Sequence, residues 1–436
     1  MAALMLTIAL AILDTAIANA ALPVIAVDLH SSAASSVWIV NAYQIAAIAT
    51  LLPFASLGGV IGYRRVYLYG VLLFTVASAV CALSNSLAML TFARVLQGLG
   101  ASAIMSVNTA LIRTVYPSAR LGRGLGLNAL VVGASFAAGP SIASAVLCFG
   151  TWPLLFAINV PLGIAAALIA RASLPESTRS QAPFGGTAAI LNMLAFASLT
   201  LALCELAQGG SFVITLPALA VFLCSAVAIL RLEGSTSAPM LPVDLLKRPM
   251  FALSAVTSVC AFATQGLAFV ALPFYFQNTM GLDLIQTGAL LTPWSAVVAL
   301  MAPLAGRLAD RTSPAALGAT GLAILCTGLA SLEMSSGHVG FLGVAILLCI
   351  CGFGFGLFQS PNQKALMSSA PPERSAGASG VVAMARLLGQ ATGAALVASC
   401  LHLSERHGPQ FALILAAAFA AAASFASACR LLTRGN

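Results

Sequence analysis

Long apolar runs fill almost the whole sequence, and this hydropathy constrains the fold more than any single motif does. Of the 436 residues, 60% are hydrophobic and 7% are charged, whereas about 25% of the residues in a soluble domain are charged. A membrane-spanning helix needs about 20 apolar residues, whereas β-barrel strands give alternating segments of about 10. The unbroken runs, rich in Ala, Leu and Gly, therefore predict an all-α integral membrane protein without a sizeable soluble domain.

Fourteen runs are predicted to span the membrane, and an even number places both termini on one side. The predicted spans are 2–27, 34–57, 66–85, 88–115, 123–149, 153–172, 187–207, 212–231, 250–277, 285–307, 315–334, 339–360, 375–401 and 410–432. Sixteen of the 19 Lys and Arg residues then lie in or beside loops on the side of the termini, while Arg406 lies outside and Arg94 and Arg386 lie within helices. Because cytoplasmic loops carry the positive excess, both termini are predicted to be cytoplasmic, in a membrane that the low charge and short termini suggest is a bacterial inner membrane.

The same charge distribution argues against other classes of protein. The net charge of +8 is spread over many cytoplasmic segments and forms no basic stripe, so no nucleic-acid partner is expected. The ten cysteines show no CxxC spacing and the four histidines are dispersed, which predicts neither a disulfide nor a metal site. No GxxxxGK[ST] phosphate loop occurs, so we expect no cofactor, no ATP-driven pump and no enzymatic activity.

The chain contains a weak internal repeat. The stretch "QGLGASAIMSVNTALI" (97–112) matches "CGFGFGLFQSPNQKAL" (351–366) at an offset of 254, which pairs Gly98 with Gly352. This pattern predicts two six-helix bundles related as a pseudo-two-fold parallel repeat, an arrangement typical of one large class of secondary transporters. The predicted parts are an N-terminal bundle at 1–173, a linker with inserted helices 7 and 8 at 174–249, and a C-terminal bundle at 250–436.

Five motifs give the chain a specific resemblance. They are "LDTAIANAALP" (13–23), "RVLQGLGAS" (94–102), "GASFAAGPSIAS" (133–144), "FAINVPLG" (156–163) and "GRLADR" (306–311). In this order they resemble the fourteen-helix drug:proton antiporter branch of the major facilitator superfamily. The resemblance implies a monomeric transporter that works by alternating access. It also assigns gating or packing roles to Arg64, Arg65, Gly133, Gly139, Pro140, Asp310 and Arg311.

The first-half loop motif departs from the family pattern. In "ASLGGVIGYRR" (55–65), Gly59 occupies the position of an aspartate that in the family helps to hold the cytoplasmic gate, and Val60 replaces the following arginine. The loss of this acid leaves a weakened or specialised transporter as an open alternative.

Asp14 is the only one of the 11 acidic residues that the spans place deep in a helix. A charge near the bilayer centre costs at least about 2.5–3.5 kcal/mol, and such residues are functional by default. We therefore expect Asp14 to bind and release the coupling proton. The alternative is a structural role in which Asp14 hydrogen-bonds Thr15 or Asn19, and Glu205 is the reserve candidate for the proton site.

Arg94 is the second charged residue expected in the membrane interior. The family resemblance implies a part in the proton relay, with Asp14 as its counter-charge. Alternatively, Arg94 tethers backbone carbonyls, or its side chain extends toward the outer surface.

Polar residues in helices are candidates for the substrate cavity, since drug-sized ligands occupy mostly apolar sites with a few polar contacts. Each of them alone is as well explained by an interhelical hydrogen bond. The candidates are Asn19, Asn41, Gln44, Asn108, Asn128, Gln265, Gln359, Asn362 and Arg386.

These features together predict a proton-coupled exporter of small amphipathic or cationic compounds, with protons, a small-molecule substrate and the lipid bilayer as its partners. Two alternatives stay open at this point: a specific metabolite or siderophore transporter of the same superfamily, and a membrane receptor or scaffold that transports nothing.

Overall fold

A computed structural model of the chain describes residues 1–115, 121–176, 184–207, 212–233, 243–335, 340–370, 375–404 and 406–432. All regular secondary structure in these ranges is helical, as expected where no water is present to satisfy open backbone groups. Fourteen helices are long and apolar enough to cross a membrane. The predicted all-α class and the predicted number of spans are therefore confirmed.

Eight of these helices belong to the first of two compact units, Met1–Leu241. Short helices at Ala33–Ser36 and Pro153–Ala157 precede the second and sixth of them. The eight are α1 (Ala2–Asp28), α2 (Trp38–Ile61), α3 (Tyr63–Ala82), α4 (Leu87–Val115), α5 (Leu121–Phe149), α6 (Asn159–Ser173), α7 (Gly186–Ala207) and α8 (Phe212–Glu233).

The second unit, Pro242–Asn436, contains the other six spans after a short helix at Val243–Leu246. Its first span continues into a π-helical turn at Tyr275–Thr279. The six are α9 (Pro249–Phe274), α10 (Leu284–Leu308), α11 (Pro314–Met334), α12 (Phe341–Ser369), α13 (Ser375–Leu403) and α14 (Gly408–Leu432).

Most predicted spans match the helices within a few residues, and two differ in a way that is informative. The span predicted at 339–360 was too short, because α12 continues to Ser369 through Pro361 and the polar residues after it. Hydropathy falls where polar residues begin, but the backbone hydrogen bonds of a helix form within the helix itself, so the helix does not end there. The predicted span 153–172 is divided at Ile158 into a short helix and α6.

The first six and the last six spans pack in the same pattern within their own units. In the first unit α1 packs on α5 and α6, α4 packs on α2 and α3, and α3 packs on α6. In the second unit α9 packs on α13 and α14, α12 packs on α10 and α11, and α11 packs on α14. These five equivalent pairings support the internal repeat. The inserted pair, α7 and α8, pack on each other, and α7 also packs on α2.

Two equivalent glycines mark close helix crossings. A Cβ at Gly98 of α4 would collide with the carbonyl oxygen of Tyr43 in α2, and a Cβ at Gly352 of α12 would collide with that of Trp294 in α10. Small residues allow helix backbones to approach in this way. The repeat seen in the sequence is therefore a repeat of backbone contacts.

We expect Gly98→Ala and Gly352→Ala each to lower the melting temperature in detergent, because overpacking costs about 1–3 kcal/mol. Thermal unfolding followed by size-exclusion chromatography measures the effect. Gly59→Ala is the matched control, since a Cβ there meets no atom within 4 Å. Melting temperatures for the two crossing variants equal to that of Gly59→Ala would contradict the proposed packing.

Candidate functional site

Asp14 lies near the middle of the 27-residue helix α1 and is 2% exposed. Side chains from α3, α4 and α6 converge on this carboxylate or on its direct partners. The site is therefore built from several neighbouring helices of the first unit.

Arg94 is the charged partner of Asp14. Its Nη1 donates to Asp14 Oδ2 and, at 2.5 Å, to Gln97 Oε1. Its Nε donates to the carbonyl of Ile39 at 3.1 Å, and the guanidinium lies 4.3 Å from the ring centroid of Tyr43. Arg94 is completely buried, and the ion pair, the carbonyl contact and the cation–π contact replace part of its hydration. Its Nη2 has no hydrogen-bond partner among the described residues.

Two amides complete the shell around the carboxylate. Gln97 Nε2 and Asn159 Nδ2 each donate to Asp14 Oδ1 at 2.8 Å. Gln97 Nε2 also donates to Ser78 Oγ at 2.9 Å. All three direct partners of Asp14 act as donors, which suits a carboxylate that accepts at both oxygens.

This donor shell links the protonation of Asp14 to its geometry. A protonated carboxyl group carries an O–H that must itself find an acceptor. Arg94, Gln97 and Asn159 present N–H groups to the carboxylate, so a proton on Asp14 would remove the negative charge that faces these donors.

The seam between α1 and α5 lies close to this site. Gly139 of α5 packs so tightly that a Cβ there would collide with Ala16, two residues after Asp14. Pro140 follows inside α5 and is buried. Gly133, also in α5, is half-buried.

Four predicted cavity residues instead form interhelical hydrogen bonds within their own unit. Asn108 of α4 donates to Asn128 of α5 at 2.7 Å. Gln265 of α9 accepts from Gln390 of α13 at 3.0 Å. Asn362 of α12 donates to Ser258 Oγ at 2.7 Å and accepts from Arg430 at 2.6 Å.

Arg430 is a buried cation that the sequence reasoning missed. Its position in the last turn of α14 suggested a loop-side residue, but the side chain is fully buried. It donates to Ser254, Asn362 and Ser427. Helical spacing places Arg430 near Ser427, but nothing in the sequence links it to α9 or α12.

Besides Asn108 with its Oδ1, three further predicted cavity residues of the first unit keep amide atoms without a hydrogen-bond partner among the described residues. They are Oδ1 of Asn19, both amide atoms of Asn41, and Oε1 of Gln44. All three side chains are buried. Buried polar groups are nearly always hydrogen-bonded, so these amides are the best candidates for polar contacts to a ligand. Gln359 and Arg386 are half-buried.

The two loop motifs carry different contacts. In the first half Arg64 Nη2 donates to the carbonyl of Arg171 at 2.7 Å, and Arg65 is exposed. In the second half Asp310 pairs with Lys364, and Arg311 is exposed. Gly59, where the family has an acid, faces open space.

Gln97, Asn159 and Ser78 were not predicted as site residues, although they form part of the Asp14 network. Gln97 could have been found because it is one turn after Arg94 in a helix. Asn159 lies in the "FAINVPLG" motif, whose recurrence in the family was the available signal. Ser78 stands in an ordinary apolar helix and gave none.

Comparison with known proteins agrees with the fold and the motifs. The model of the Major Facilitator Superfamily matches residues 4–394. The chain belongs to this superfamily. Its fold resembles a bacterial homologue of the human lysosomal transporter Spinster in an inward-facing, unoccupied conformation, with a TM-score of 0.73, 15% identity and coverage of 99% of this chain and 96% of that chain.

The superfamily relatives are transporters with several described roles. The chain is 49% identical to the uncharacterized transporter YebQ of Escherichia coli over 97% of this chain and 93% of the relative. It is 28% identical to the riboflavin transporter RibZ of Clostridioides difficile (92% and 87%) and 31% identical to the multidrug resistance protein Stp of Mycobacterium tuberculosis (89% and 73%). The drug-resistance relatives support the superfamily branch that the motifs predict.

We expect Asp14 and Arg94 to stabilise the fold as a coupled pair. Asp14→Asn or Arg94→Gln alone leaves one buried group uncompensated and should lower the free energy of unfolding by about 3–5 kcal/mol. The double variant should lose less stability than the two single variants together, because no buried charge is left. A double-mutant cycle of thermal unfolding measures this coupling.

The exposed pair Asp310 and Lys364, with side chains 69% and 46% exposed, is the control for this cycle. Its coupling should fall below about 1 kcal/mol. Equal coupling energies for the buried and exposed pairs would refute the role assigned to the buried network.

Gly139→Leu is expected to insert normally but to block transport, because the added side chain wedges α1 from α5 next to Asp14. Membrane expression and dye efflux in cells lacking other pumps measure the two properties. Gly59→Leu, placed in open space, controls for added bulk and should transport. Efflux by Gly139→Leu equal to that of this control would show that the seam is not critical.

Proposed function

We propose that this transporter exports small amphipathic or cationic compounds in exchange for protons, by alternating access. The observation that carries the proposal is the buried Asp14 carboxylate with its three N–H donors, Arg94, Gln97 and Asn159. An intramembrane carboxylate is costly, and this one is held so that gaining a proton changes its contacts.

The proton step changes one bond and one charge. A proton from external water adds to a carboxylate oxygen of Asp14 and forms an O–H bond, and the reverse step releases it to the cytoplasm. Arg94 keeps other partners during this step, namely the carbonyl of Ile39, Gln97 Oε1 and the ring of Tyr43. Nε and Nη1 of Arg94 therefore keep hydrogen-bond partners when the ion pair separates.

The same step alters the affinity for a cationic substrate. The ionised pair Asp14–Arg94 has no net charge, whereas protonated Asp14 beside Arg94 leaves a charge of +1. At the low effective dielectric of a membrane interior this charge repels a bound cation strongly. Proton binding thus favours release of the substrate, which is the order of events that antiport requires.

Substrate recognition is assigned to the buried amides of Asn19, Asn41 and Gln44. Asn41 and Gln44 are three residues apart on α2 and share a face of that helix. Their unpartnered amide atoms offer a small number of directional contacts, which is typical of sites for drug-sized ligands.

The orientation follows from the positive loops. With both termini in the cytoplasm, the outward path for substrate and the inward path for protons match the proton gradient of a bacterial inner membrane. The bacterial relatives support this location.

Transport of a single metabolite is the second candidate, because RibZ, a relative over most of both chains, is described as a riboflavin transporter. The two candidates share the proton site and differ in substrate range. A panel of cationic dyes and of neutral metabolites, assayed in the same vesicles, separates them: export of several unrelated dyes supports multidrug efflux, and export of one metabolite supports the alternative.

We expect Asp14→Asn to abolish pH-driven accumulation of ethidium in inverted membrane vesicles, together with ethidium-induced proton release. Proton release is followed with a pH-sensitive dye. Glu205→Gln, which neutralises the half-buried acid in α7, is the matched control and should retain both activities.

Folding must be separated from coupling in this experiment. Asp14→Glu restores a titratable group, so partial recovery of transport in this variant identifies the carboxylate itself as the requirement. Normal pH-driven transport by folded Asp14→Asn, judged by its elution profile and yield, would remove the proposed proton site.

A further inference from the structure

A cavity of about 470 Å³ opens on the first unit where α3 begins and α6 ends. It is distant in sequence from Asp14 and plays no part in the proposed proton step. Its lining combines basic residues at the helix ends with apolar residues, among them Arg65, Arg171, Tyr69, Leu72 and Leu168.

The lining is basic where the helices end. Arg64, Arg65 and Arg171 contribute three positive charges and Glu176 contributes one negative charge, so the formal charge of the lining is +2. Arg65 and Arg171 have exposed side chains. Guanidinium groups bind phosphate with paired, directional hydrogen bonds.

The start of α3 adds a second positive contribution. Helix N-termini carry partial positive charge and favour acids in their first turn. Helix α3 instead has Arg64 and Arg65 directly after its first residue, Tyr63. It has no acid in its first turn, and its N-cap, Gly62, provides no side-chain cap. An anion at this place would interact favourably with both the helix terminus and the arginines.

The other part of the lining is apolar and exposed. Tyr69 is 66% exposed, Leu72 58% and Leu168 64%. Tyr69 and Leu72 lie on α3 and Leu168 on α6, both of which are candidate membrane spans. These side chains therefore face hydrocarbon and lie directly beside the basic part.

We propose that this cavity binds an anionic phospholipid, with the phosphate at Arg65 and Arg171 and an acyl chain along Leu72 and Leu168. A soluble phosphate compound would contact only the basic part of the lining. A phospholipid would contact both parts, because in a bilayer its charged headgroup lies directly beside its acyl chains. Basic pockets between spanning helices on the cytoplasmic side are suited to anionic headgroups. The positive-inside orientation places the cavity in that leaflet, and the site does not depend on proton coupling.

Native mass spectrometry of the detergent-purified protein tests this with an equimolar mixture of phosphatidylglycerol and phosphatidylcholine of identical acyl chains. The wild type should retain phosphatidylglycerol preferentially. Because each arginine near a headgroup is worth about fivefold in affinity, Arg65→Gln/Arg171→Gln should reduce the preference about 25-fold. Equal retention of both lipids by the wild type would overturn the proposal.

Three further arms make the result specific. Arg307→Gln, an exposed arginine at the end of α10, should leave the preference unchanged, and Arg171→Lys should keep most of it. Glycerol phosphate at millimolar concentration should not displace phosphatidylglycerol. Displacement of phosphatidylglycerol by glycerol phosphate would assign the cavity to a soluble phosphate compound. If Arg307→Gln lost as much of the lipid preference as the double variant, the preference would reflect the total charge of the protein and not this cavity.

A second measurement keeps the test decisive if the double variant folds poorly. Leu72→Trp places a fluorophore in the apolar part, and the signal of the three native tryptophans is subtracted with the parent protein. In nanodiscs, brominated phosphatidylglycerol should quench this fluorophore more than brominated phosphatidylcholine does. Equal quenching by the two lipids would overturn the proposal without any change to the arginines.

Discussion

The cost of placing a charge in a medium without water is the constraint on which this protein depends. It explains why 7% of the residues are charged, why every described span is a helix, and why Asp14 and Arg94 bury their charges together. The pair is surrounded by Gln97, Asn159 and the carbonyl of Ile39, which offset part of the cost of burying two charges.

The two halves repeat a packing scheme but not a chemistry. Equivalent glycines at Gly98 and Gly352 bring equivalent helices together, so the scaffold is duplicated at the level of the backbone. The buried charges are not: the first half has Asp14 with Arg94 on α1 and α4, whereas the second has Arg430 with Asn362 and serines. Backbone approach depends on small residues and survives divergence, while each polar network needs several particular side chains and is easily lost from one copy.

Charge near the loops follows a different rule from charge inside the spans. The arginines around the start of α3 and the end of α6 lie beside exposed leucines, where headgroups and hydrocarbon meet. There a charge keeps its hydration or binds a phosphate, so no carboxylate partner is required. The same arginines can thus set the topology and contact lipid.

Hydropathy and charge alone determined the helical class and the fourteen spans and predicted that Asp14 lies deep in a helix, because helix length and the cost of buried charge are local properties of the sequence. Helix ends such as that of α12 escaped the sequence reasoning, since backbone hydrogen bonding continues where hydropathy falls. Only the tertiary structure decided which donors meet Asp14, that Asn108 and Asn362 are used between helices, and that Arg430 is buried. Residues such as Asp14 and Asn159 are 145 positions apart, and no local pattern specifies which faces of two helices come into contact.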